Sequence, residues 1–149
     1  MSQVFVGYGQ FGLEGVGEEF IRFIFDVTLG LTSQKSDSEV GVVLITDDQM
    51  QKMNQRYRGK DATTNVLSFT NSEIPELTDK EVDTNYLGDI YISCPVLIAE
   101  AEKLHIPHKD RFAQLLVHGL LHLLGFDHEN NSDAKKMEDI EDQITQMIL

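Results

Sequence analysis

Leu115 to Phe126 is apolar on nearly every side of a helix, yet the overlapping stretch HGLLHLLGFDH, residues 118 to 128, carries His118 and His122 and runs on to His128. A helix that is hydrophobic all round has no solvent face, so whatever this chain folds into must enclose it. The first two histidines are four residues apart, which puts them on one face, one turn apart, close enough to share an ion. Burial disfavours protonated rings, and two neutral rings with unused lone pairs need a partner; a divalent cation satisfies both. Gly125 supplies the left-handed turn common just past a helix end and lets the chain fold back to bring His128 to the same ion.

The pattern H-x-x-x-H-x-x-G-x-x-H has the spacing of the metzincin zinc motif, except that Gly119 stands where the catalytic glutamate would be. Three histidines, His118, His122 and His128, leave one corner of a tetrahedral zinc open to water, the arrangement of a catalytic site and not of a closed structural one. Water bound in that corner ionises at about pH 7 and becomes a nucleophile. Three satisfied core histidines without a metal are the alternative, disfavoured by the spacing. Asp127, next to the third histidine, is either an orienting carboxylate or a solvated charge. Met137 falls inside a final amphipathic helix and reads as a core residue, not as a methionine turn.

The 149 residues suit one domain, spanning 1–149, and 41% apolar content argues against disorder. Cys94 is the only cysteine, which excludes an intrachain disulfide and a thiolate cluster and reads as a buried thiol. The start, MSQVFVGYGQ, lacks a basic leader followed by an apolar run, and no apolar stretch is long enough to span a bilayer; a cytoplasmic protein without a membrane partner is expected. The net charge of −13 argues against nonspecific binding to nucleic acid, but its distribution is uneven. Gln51 to Lys60 holds Lys52, Arg56, Arg58 and Lys60 with no acid, whereas Asp127 to Asp142 holds seven acids.

Short strands are expected at Val4 to Val6, Glu39 to Ile45, Asn65 to Phe69 and Gly88 to Ser93. Helices are expected at Glu14 to Leu29, from the capping box Thr46-Asp47-Asp48-Gln49 to about Tyr57, from Pro95 to His105, from about Lys109 to Leu124, and from Ser132 to Ile148. The polar, proline-containing segment Thr70 to Asn85 reads as a loop. Gly7, Gly9 and Gly12 spell G-x-G-x-x-G, but no acidic residue follows in a clean βαβ unit, so a glycine-rich turn is the better reading. Strands interleaved with helices favour a single α/β or α+β layer structure.

HGLLHLLGFDH, together with YRGKDATTNVLSF at Tyr57 to Phe69 and LGDIYIS at Leu87 to Ser93, resembles the YbeY family of bacterial endoribonucleases that mature ribosomal RNA. The resemblance implies an α+β fold with a small mixed four-stranded sheet, about five helices, and the metal site on a central helix and the turn after it. It implies one zinc held by His118, His122 and His128, metal-dependent cleavage of single-stranded RNA, processing of the 3′ end of small-subunit ribosomal RNA, and ribosome quality control with ribosomal partners. It also implies that Arg58 lies in the active-site cleft, and Thr63 stands where the family usually has proline.

Beside the resemblance, Arg58 offers a planar fork suited to phosphate, and Lys52, Arg56 and Lys60 around it form a surface able to guide an RNA backbone. Lys103, His105, His108, Lys109 and Arg111 form a second basic island, read as a solvated helix junction. No motif residue is a general base. A zinc peptidase shares the histidine spacing but needs the glutamate that Gly119 replaces, and a non-catalytic zinc-containing ribosome assembly factor is the other alternative.

Overall fold

EVGVVLI is β-branched on both faces, the composition of a strand covered on both sides, and it forms β2 (Glu39–Ile45) near the middle of the sheet. The computed structural model describes residues 2–7, 12–73, 85–127 and 129–149. The expected glycine-rich turn, most of the expected Thr70 to Asn85 loop, and His128 lie outside the described residues. The other strands are β1 (Gln3–Gly7), β3 (Val66–Thr70) and β4 (Tyr86–Ser93), and the sheet order is β1-β2-β4-β3. β1, β2 and β4 run parallel, and β3 pairs antiparallel with β4 to complete a mixed sheet with β3 at one edge.

Five helices pack on this sheet: α1 (Glu18–Leu31), α2 (Asp47–Arg58), α3 (Cys94–Leu104), α4 (His108–Leu123) and α5 (Asn131–Ile148). The strand alternation divides them. Val40, Val42, Leu44, Ile90 and Ile92 join the main core with residues of α1, α3, α4 and α5, while Ile45, Leu67 and Phe69 face Met50 of α2 on the other side. This α+β arrangement agrees with the expected four strands and five helices.

The helix starts follow local chemistry. At α2 the Thr46 hydroxyl accepts from the Gln49 backbone N–H at 3.1 Å and the Gln49 side chain accepts from the Thr46 N–H at 3.0 Å, the reciprocal capping box expected there. α5 starts at Asn131, one residue ahead of the expected Ser132, and the Asn130 side chain before it accepts from the Asp133 N–H at 2.8 Å. α1 begins at Glu18 and not at Glu14, because Leu13 and Val16 close an isolated bridge around Gly15 at φ +80°.

α4 is the inner helix. Phe112, Leu116, Val117, Leu120 and Leu121 are all nearly or fully buried, and the helix touches α1, α3, α5, β3 and β4. Its end is capped by Gly125 at φ +95°, with the Phe126 N–H bonded to the Leu121 carbonyl at 2.9 Å, as expected for a chain turning back there. Met137 and Cys94 are buried, both as expected of core residues.

Gly88 of β4 has φ +145°, and a Cβ added to it would lie 2.1 Å from the Phe69 carbonyl oxygen on β3. Gly88→Ala is therefore expected to destabilise the protein by about 3 kcal/mol or more through backbone strain and overlap. A urea unfolding midpoint equal to that of the wild type would contradict this account of the β3–β4 pairing.

Candidate functional site

Because α4 must be enclosed, its polar residues emerge only where the enclosure is incomplete. Such a gap opens between α4, the β3 edge and α5, as a cleft of about 650 Å³. Arg58, Ser68, Glu73, Arg111, His118, His122 and Glu141 are among its lining residues, so Arg58 and two of the three expected metal ligands meet in one place.

The His118 and His122 rings stand 81° apart in plane, and their Nε2 atoms face each other at 3.1 Å. Two nitrogens bound to one tetrahedral zinc at 2.0–2.1 Å lie about 3.3 Å apart, so this pair fits an ion with little movement, although a shared proton has similar geometry. The other nitrogen of His118, Nδ1, is 2.9 Å from the Glu141 carboxylate. A carboxylate can only accept, so Nδ1 carries the hydrogen and, in the neutral ring, Nε2 presents its lone pair to the cleft. Among the described residues no group of three histidine, cysteine or acidic side chains that could hold an ion is assembled. Asp127 is partly buried beyond the end of α4, outside the cleft lining.

Sequence reasoning missed Glu141. It sits on the stripe Met137, Glu141, Ile144, Ile148 of α5, in register with apolar residues, and its side chain is only 28% exposed. A carboxylate at a core-facing position was the available signal.

Arg58 ends α2 and is held from three sides. Its Nη2 donates to the Ser68 carbonyl at 3.0 Å and pairs with Glu73 at 3.2 Å, while the guanidinium lies 4.5 Å from the centre of the Phe69 ring. The loop after α2 is tied down as well. The Asn54 side chain donates to the Ala62 carbonyl at 2.8 Å, and the Thr63 hydroxyl donates to Asp47 at 2.9 Å. A side-chain hydrogen bond thus anchors the position where the resemblance expects proline. Lys52, Arg56 and Lys60 are exposed outside the cleft lining, Lys52 within 3.8 Å of Asp48 and Arg56 over the Tyr57 ring at 5.1 Å.

Gly119, which also lines the cleft, packs against β4. A Cβ there would stand 3.0 Å from Ile90 Cγ2, and Ile90 is fully buried, so the helix and sheet approach too closely for the glutamate of a peptidase motif.

Facing imidazoles and a fixed guanidinium in one cleft of an α+β domain are the equipment of a hydrolase for an anionic substrate. Residues 15–148 match the family Endoribonuclease YbeY. The endoribonuclease YbeY of Acinetobacter baylyi is 43% identical over 125 residues, covering 83% of this chain and 78% of its own length. Those of Hydrogenovibrio crunogenus and Cellvibrio japonicus are 40% and 39% identical over 108 and 127 residues, covering 72% and 85% of this chain and 68% of their own lengths in each case. A solution structure of a Thermotoga maritima protein shares the fold, with a TM-score of 0.62 at 22% identity, covering 99% of this chain and 89% of the other. The chain belongs to the endoribonuclease YbeY family and is a hydrolase acting on RNA.

Burial alone raises the Glu73 carboxyl, but the Thr70 backbone N–H and hydroxyl together with Arg58 outweigh it and hold the group below its ordinary value of 4.5. A depressed carboxylate contributes stability that is complete above its unfolded pKa and disappears as pH falls through the folded one. The stability difference between wild type and Glu73→Gln is therefore expected to shrink as pH falls from the ordinary value of 4.5 through the lower folded-state value. A difference that stays constant over that range, measured by urea unfolding, would show that the charge on Glu73 does not tether Arg58.

Proposed function

We propose that this chain is a metal-dependent, single-strand-specific endoribonuclease that works in the cytoplasm on ribosomal RNA, trimming the 3′ end of the small-subunit RNA and serving ribosome quality control. His118, His122 and His128 would hold one divalent ion, and their all-nitrogen donor set suits zinc. The observation that carries this reading is the convergence of Arg58 with the facing Nε2 atoms of His118 and His122 in one cleft of an endoribonuclease-family chain.

When bound, the ion supplies positive charge to a phosphoryl oxygen and activates water. The protein's own groups do the rest. Arg58 presents N–H donors to the non-bridging oxygens, where negative charge grows as the phosphodiester is attacked, and Ser68 and Glu73 keep the guanidinium oriented. Glu141 keeps the hydrogen of His118 on Nδ1 and fixes the ring plane, so that Nε2 stays a donor of its lone pair.

Purified protein is expected to bind about one zinc per chain and to cut unstructured RNA in a chelator-sensitive manner, with His118→Ala losing both properties and Arg58→Ala keeping the metal but losing cleavage. Arg58→Ala cutting at the wild-type rate would remove that residue from the mechanism. Wild type that holds zinc and leaves RNA intact would favour the assembly-factor role instead. Glu141→Gln is expected to weaken metal affinity by about 10–100-fold, measured by competition with a zinc-binding dye; an unchanged affinity would mean that the carboxylate does not orient His118.

A further inference from the structure

The cleft is a difficult place for RNA. Glu73, Glu141 and Asp142 line it, the chain carries a net charge of −13, and Lys52, Arg56 and Lys60 lie outside. Among the described residues, Arg58 and Arg111 are the two lysine or arginine side chains in its lining. Arg58 is assigned to the phosphodiester that is cut, which leaves Arg111 to be explained.

Arg111 is built into the wall with unusual completeness. Its Nε and Nη2 donate to Glu100 Oε1 at 3.1 and 3.0 Å, and its Nη1 donates to the Gln114 side-chain oxygen at 2.9 Å. The Asn65 side chain reaches both oxygens of the same Glu100 at 3.3 Å. Glu100, on α3, lies behind the cleft lining, whereas Asn65, Arg111 and Gln114 belong to it. Three of the five guanidinium N–H groups are used in this way, which leaves one on each terminal nitrogen. The Arg111 side chain is 21% exposed. It precedes His118 by seven residues on the same helix face, so its backbone stands about 10 Å further along the axis, toward the start of α4.

We propose that Arg111, held by Glu100 and flanked by Asn65 and Gln114, is a second phosphate subsite that grips the RNA backbone beside the phosphodiester being cut. This rests on the endoribonuclease reading above. Glu100 has two effects: it orients the guanidinium, and its charge offsets part of the attraction for the strand. Glu100→Gln keeps an accepting oxygen for the guanidinium and removes only the charge, so it isolates the second effect: the subsite predicts weaker RNA binding without Arg111 and tighter binding without the Glu100 charge, a pattern that an ion pair serving stability alone would not produce.

The test is binding of a fluorescent, unstructured oligoribonucleotide over a range of salt concentrations, alongside cleavage kinetics, for wild type, Arg111→Ala, Arg111→Lys and Glu100→Gln. Arg111→Ala is expected to weaken binding about tenfold, appearing mainly in KM, and to lower the slope of log affinity against log salt by about 0.7. Arg111→Lys should restore the slope, since it restores the charge, and Glu100→Gln should bind RNA more tightly than wild type. Thermal unfolding of each variant separates loss of fold from loss of contact. An unchanged salt slope in a folded Arg111→Ala, or weaker binding by a folded Glu100→Gln, would overturn the subsite while leaving the endoribonuclease reading intact. Wild type that neither binds nor cuts the oligonucleotide would overturn both.

Discussion

Everything in this molecule follows from having to bury α4. A helix with Phe112, Leu116, Leu120 and Leu121 around its circumference cannot lie on a surface, so a sheet backs it and three helices wall it in. The cost of putting imidazoles on such a helix is desolvation, and it is limited in two ways. His118 and His122 point to a gap in the enclosure, and Glu141 bonds the other ring nitrogen of His118. The same packing that stabilises the domain thus fixes the direction in which the histidine lone pairs point.

The arginines obey a related rule. Both cleft arginines are gripped by a carboxylate, Arg58 by Glu73 and Arg111 by Glu100. A free arginine samples many rotamers and loses that freedom when a ligand binds; one already held by protein acceptors has little left to lose. Accepting some loss of attraction in return for a fixed geometry is a reasonable exchange in a site that must place a phosphodiester accurately against reacting groups.

Much of this was legible in the sequence because the relevant signals are local. The four-residue spacing of His118 and His122, the Thr46–Gln49 capping box, the left-handed Gly125 and the β-branched run at β2 each depend on neighbours within a few residues, and each appears where the sequence places it. Contacts made across the fold were not legible. Nothing near Glu141 says that it meets His118, 23 residues away, and nothing near Arg111 distinguishes a cleft wall from the solvated junction that its basic neighbours suggested. The acid-free run around Arg56 was read as one surface, but the turn of α2 sends Arg58 to the cleft and its neighbours to solvent. Which face a charged residue occupies is decided by packing partners that only the folded chain supplies.

The carboxylate that steadies His118 comes from a different helix, 23 residues further along the chain. The ring therefore gains its anchor only when α5 has docked against α4, so the direction of the histidine pair is a product of the tertiary fold and not of α4 alone. An enzyme able to cut RNA is thereby left with an unfinished reactive centre until its domain has folded. Products of premature termination that lack α5 would keep the histidines but not the group that directs them.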